Sequence, residues 1–165
     1  MIGALTILAA ACNQPQGGTP TGRADSLQSA PKEDTASAGL AATLRVPPVA
    51  EGRDSLMVTF TVTNNGKEPL RFCKWHTPFE PLMSKYLDVA NERGEEADYR
   101  GAMAKRIMPP PADSYVTVNP ADSLTTSFDL LKGYAVTKPG TYTIRYSGGE
   151  ISGLKESNTV TFQLK

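Results

Sequence analysis

Between residues 55 and 63 the side chains alternate, with Leu56, Val58, Phe60 and Val62 on one side and Met57, Thr59 and Thr61 on the other. A period of two is that of a strand with one buried face, and a slip of one residue would turn the whole apolar set toward water. The stretch therefore has to lie in a sheet that covers a core. It runs into Asn64-Asn65-Gly66-Lys67, whose Asn-Gly step suits the positive φ of a tight turn. Leu70 and Phe72 resume the alternation across residues 69–75, so the two strands are expected to pair as a hairpin.

Similar short segments at 40–46, 86–90, 97–100, 115–118, 123–130, 141–147 and 157–164 bring the expectation to about eight strands. Turn signals separate them: Asn91-Glu92-Arg93-Gly94, Asn119-Pro120-Ala121-Asp122 and Lys138-Pro139-Gly140. The best helical candidate, 101–107, is cut off by Pro109-Pro110-Pro111. Many short strands with frequent turns and no amphipathic helix describe an all-β fold, an immunoglobulin-like antiparallel β-sandwich. Pro139-Gly140-Thr141-Tyr142 has the form of a tyrosine corner, in which a tyrosine hydroxyl bonds back to nearby backbone.

The N-terminal end reads differently. Residues 1–12 form an apolar run closing on Leu8-Ala9-Ala10-Ala11-Cys12, the shape of a lipoprotein signal peptide with Cys12 as the acylated residue. No Lys or Arg precedes the run, which points to a recorded start inside a longer leader. The run is far shorter than the ~20 residues a spanning helix needs, so membrane contact is expected through the lipid anchor only, palmitate or a similar acyl chain. Residues 13–39 lack any aromatic side chain and are rich in Pro, Gly, Ser, Thr and Gln, as in a disordered tether with a span of ~30 Å. The sandwich domain is expected over 40–165. Asn13 is not the Asp that holds some lipoproteins in an inner membrane, and resemblance to that sorting rule favours the outer membrane of a bacterial envelope.

Charge and residue inventory narrow the function. Lys plus Arg equals Asp plus Glu at 17 each, so no one-signed field gathers nucleic acid. The single histidine, His76, cannot build a multi-histidine metal site, and no Gly-x-Ser-x-Gly elbow accompanies it. Glu95, Glu96 and Asp98 flank a polar hairpin, where solvated charge is the ordinary state. Cys73 is either a small buried hydrophobe or a reactive thiol. Neither a catalytic residue nor a metal or other cofactor is expected.

Two segments remain. Lys74-Trp75-His76-Thr77-Pro78-Phe79-Glu80-Pro81-Leu82 packs the only Trp and the only His into a proline-stiffened bend, and Tyr99-Arg100-Gly101-Ala102-Met103-Ala104-Lys105-Arg106 precedes the proline run. Trp75 and Phe79 either cover one end of the sandwich or anchor a partner. Lys105 and Arg106 either meet a partner's carboxylate or pair internally with Glu80. The candidate partner-binding set is Trp75, His76, Phe79, Glu80, Tyr99, Lys105 and Arg106.

These strings, with Asn64, Gly66, Pro69-Leu70, Tyr115-Val116 and the Pro139 to Tyr142 corner, resemble the N-terminal, non-catalytic immunoglobulin-like domain of deuterolysin-like and peptidyl-Lys metalloendopeptidases. The resemblance covers 40–165, and Trp75-His76-Thr77-Pro78-Phe79-Glu80 is its most specific part. It implies an accessory module without the zinc-binding catalytic domain. The expected function is that of a non-catalytic, exported lipoprotein that binds a protein, in particular a separately encoded metallopeptidase that it restrains. The alternatives are a structural envelope lipoprotein without a peptidase connection and, last, a hydrolase using His76 or Cys73.

Overall fold

The computed structural model describes residues 39–51 and 54–165. Its strands are β1 (Leu40–Arg45), β2 (Val49–Ala50), β3 (Met57–Asn64), β4 (Leu70–Cys73), β5 (Leu87–Asn91), β6 (Tyr115–Val118), β7 (Ser123–Asp129), β8 (Gly140–Tyr146) and β9 (Val160–Leu164). One sheet has the order β1-β3-β7, a second β2-β9-β8-β5, and β4 pairs with β6. All pairings are antiparallel except that of β2 with β9. The expected leader, Cys12 and the tether up to residue 38 lie outside the described residues.

The alternation of β3 does what its period requires. Val58, Phe60 and Val62 are fully buried, and they share one core with Leu44, Phe128, Leu87, Ile144, Tyr146 and Phe162. Each of the two larger sheets thus buries one face, and the Phe60 and Tyr146 rings meet across them with centroids 5.0 Å apart. The opposite face of β3 is polar. Thr59 pairs with Ser127 at 3.2 Å and Thr61 with Thr125 at 2.9 Å, hydroxyl to hydroxyl across β3 and β7.

Two local expectations are corrected. The strands at 55–63 and 69–75 do not form a hairpin with each other, because β3 lies between β1 and β7 while β4 pairs with β6. The physical reason is Asn64, which is fully buried and turns inward rather than serving a surface turn. Its Nδ2 donates to the Glu68 and Val118 carbonyls, both at 2.8 Å, and its Oδ1 accepts from Gly66 N at 2.8 Å. This side chain carries the chain from one sheet to the other, and positive φ among the described glycines falls at Gly94, Gly140, Gly148 and Gly153 instead of Gly66. The stretch 97–100 is the second correction. It is held by one lone bridge, Tyr99 to Tyr134, and by Ala97 N donating to the Val89 carbonyl at 2.8 Å, rather than forming a strand.

Other turn chemistry follows the sequence. Asn91 Oδ1 accepts from Arg93 N and Glu95 N, each at 3.0 Å, while Gly94 supplies a φ of +79°. The Tyr142 hydroxyl donates to the Lys138 carbonyl at 2.9 Å, closing the tyrosine corner. Residues 101–107 are not helical; among the described residues the helical turns are two short 3-10 segments, Ala112–Ser114 and Leu130–Lys132. Asp129 caps the latter, accepting from Leu131 N at 3.1 Å and from Leu56 N at 2.9 Å.

Candidate functional site

After β4 the chain bends sharply at one end of the core. His76 takes a left-handed φ of 57° and Leu82 one of 58°, so two non-glycine residues bracket the bend. Thr77 is fully buried; its hydroxyl donates to the Lys74 carbonyl at 2.6 Å and accepts from Phe79 N at 3.2 Å. These bonds aim Phe79 inward. Its ring lies 5.2 Å from Phe72 and 6.1 Å from Phe60, and Trp75 beside it is only 7% exposed. Phe79 is therefore packed as a cover over the sandwich core, and Trp75 is buried in the same bend.

The second segment is fastened onto this cover. The Tyr99 ring stands edge-on to Tyr134 at 5.2 Å, and its hydroxyl donates to the Ala102 carbonyl at 2.9 Å. Burial pushes the Tyr99 hydroxyl above its ordinary pKa, keeping it a donor. Gly101 lies directly against that ring, where a Cβ would collide with the hydroxyl end. Ala102 N donates to the Leu82 carbonyl at 3.0 Å and Ala104 N to the Met83 carbonyl at 2.9 Å. Arg106 then bonds the Glu80 carboxylate while its guanidinium carbon sits 4.7 Å from the centre of the Trp75 ring. The Arg106 and Glu80 side chains retain only 21% and 22% exposure, so this pair is partly removed from solvent.

The structure thus brings Trp75, Phe79, Glu80, Tyr99 and Arg106 into one fastening, with Glu80 and Arg106 satisfying each other. His76 is half-buried at the bend and Lys105 is exposed. Cys73 is fully buried at the edge of the same end, a free thiol held by its N–H to the Ser152 carbonyl at 3.0 Å; burial raises its pKa. Among the described residues, no three His, Cys, Asp or Glu side chains gather as a metal cluster, and no helix is long and apolar enough to cross a membrane. An open groove of about 560 Å³ lies elsewhere, lined by Leu44, Arg45, Val46, Pro48, Asn158 and Val160 among others.

The residues that the sequence reading missed are the exposed apolar ones beside Lys105. Met103 is 70% exposed, Ile107 87% and Met108 58%. A signal was available, since these apolar side chains lie between Gly101 and the proline run, where neither strand nor helix can bury them.

Fold and site together define an immunoglobulin-like β-sandwich whose end is closed by an aromatic cover and a fastened loop. The chain belongs to an immunoglobulin-like domain family, whose model matches residues 44–154. Among curated proteins it is similar to an extracellular protease of Aeromonas hydrophila, 35% identical over 112 residues that make up 66% of this chain and 30% of that protein. It is also similar to a neutral protease 2 homolog of Arthroderma gypseum, 30% identical over 64% of this chain and 28% of that protein. The chain spans about 30% of the length of these relatives. What it shares with them is this non-catalytic immunoglobulin-like domain. Solved structures similar to it include a CARDB domain from Pyrococcus furiosus, with a TM-score of 0.39 and 12% identity over 76% of this chain and 87% of that one.

Proposed function

We propose that this protein is an exported accessory module that binds a secreted metallopeptidase and restrains it. The observation that carries this reading is the 35% identity to a limited portion of an extracellular protease, in a domain that brings no catalytic residue of its own. Such a module acts by surface complementarity alone. The surface around the closed end, with Lys105 exposed and Arg106 and Glu80 holding the loop in place, is where partner contact is assigned. Export agrees with the extracellular setting of the Aeromonas relative. Acylation of Cys12 would hold the module at a bacterial outer membrane, and the motivation is the Leu8 to Cys12 string.

Two measurements test this. The full chain, titrated against a panel of secreted deuterolysin-like metallopeptidases and the Aeromonas hydrophila extracellular protease, is expected to bind at least one saturably. Absence of binding across the panel at micromolar concentration removes the peptidase connection and leaves an envelope protein of structural role. Mass spectrometry of the N-terminal peptide from membrane fractions is expected to find acyl chains on Cys12; an unmodified thiol there removes the anchor.

A further inference from the structure

We infer that residues 103–107 form a substrate-like strand that enters the cleft of the peptidase, an inference that rests on the function proposed above. Side-chain exposure alternates along the loop: Met103, Lys105 and Ile107 face solvent, while Ala104 and Arg106 are half-buried between them. The backbone is sided in the same way over residues 102–105. Ala102 N and Ala104 N are spent on the Leu82 and Met83 carbonyls, whereas the N–H groups of Met103 and Lys105, and after them those of Arg106 and Ile107, have no partner among the described residues. Residues 102–107 make no helix or turn; where such a segment runs extended, N–H groups two apart point the same way, so those of Met103 and Lys105 lie opposite the fastened Ala102 and Ala104.

Peptide recognition by strand addition needs this arrangement: an extended backbone with one unpaired edge, and alternate side chains free to enter pockets. A peptidase cleft is the partner of matching chemistry, because it takes its substrates as extended chain. What distinguishes a restraining strand from a substrate is stiffness. Arg106 is fixed at two points, by the Glu80 carboxylate and by the Trp75 ring 4.7 Å away, and Tyr99 fastens Ala102 at the other end. A segment fixed on both sides of Lys105 loses little entropy on binding and resists the distortion that cleavage demands. Its apolar side chains, Met103 at 70% exposure and Ile107 at 87%, are placed outward at a cost that a monomer gains nothing from. No bond is made or broken in this proposal.

The test uses the full chain as inhibitor of the panel member that it binds, with hydrolysis of a peptide substrate as readout. Lys105→Glu and Ile107→Asp, both at exposed positions, are each expected to raise the inhibition constant by about tenfold or more. Thr61→Arg, on the outer face of β3, is expected to leave it unchanged. Amide exchange at Met103 and Lys105 should slow in the complex, since strand addition pairs those N–H groups. If the parent chain inhibits and both loop variants inhibit equally well with unchanged exchange, the strand inference is overturned while the binding function stands. If the parent chain binds no enzyme, the functional reading falls and takes this inference with it.

Discussion

Arg106 lies over the face of Trp75 and at the same time bonds Glu80, so one guanidinium joins the loop before the proline run to the bend after β4. Removing it leaves Glu80 partly buried without a counter-ion and uncovers the indole. Arg106→Ala is expected to lower stability by about 1–2 kcal/mol. Trp75→Ala, which removes a buried ring, should cost about 3–5 kcal/mol. Urea unfolding of the two single variants and the double variant checks this, and the double loss should be smaller than the sum because the residues touch.

Asn64 makes three hydrogen bonds from a fully buried position and sets where the chain leaves one sheet for another. Asn64→Ala strands two carbonyls and one N–H, so a loss of about 2–4 kcal/mol is expected by denaturant titration. Asn64→Asp should be no milder, because an ionised carboxylate cannot donate to the Glu68 and Val118 carbonyls.

Cys73 has no exposure, and burial raises the pKa of its thiol. Its reaction with an aromatic disulfide reagent is expected to be slow in the native protein and to reach the rate of a free thiol in denaturant. Fast native reaction would mean that the closed end opens readily.

Burial raises the pKa of three core tyrosines, Tyr86, Tyr134 and Tyr146, the last to about 12. Above pH ~10 an unfolded chain ionises these phenols while the folded one does not, so the unfolded state binds fewer protons. Stability should therefore hold through neutral pH and fall as pH rises from the unfolded pKa toward 12, by about 1.4 kcal/mol per pH unit for each tyrosine. Thermal melts between neutral and strongly alkaline pH measure the slope. Tyr146→Phe should lessen it, at the cost of the 2.8 Å bond to Ser152.

Much of this fold was legible because period-two alternation is a direct record of which face is buried. The buried face of β3 follows from it, while the Tyr142 corner was marked by the Pro139-Gly140-Thr141-Tyr142 string. Strand partnership was not legible at Asn64, since an Asn-Gly step serves a hairpin as readily as a crossover, and only the depth of the asparagine decides between them. The Ala97 to Arg100 stretch has strand-like residues, yet Tyr99 turns to Tyr134 and leaves a single bridge. At the candidate site, the internal pairing of Glu80 with Arg106 stood in the sequence as one of two options. The outward placement of Met103 and Ile107 was marked only by their position between Gly101 and the proline run, a weaker signal than the usual assignment of apolar residues to a core.

The most direct test is the rate at which a secreted deuterolysin-like metallopeptidase hydrolyses a peptide as the full chain is added. The account predicts a saturable fall in rate, with the added chain recovered uncut. Undiminished rates across the panel, or proteolysis by the chain alone, would contradict it.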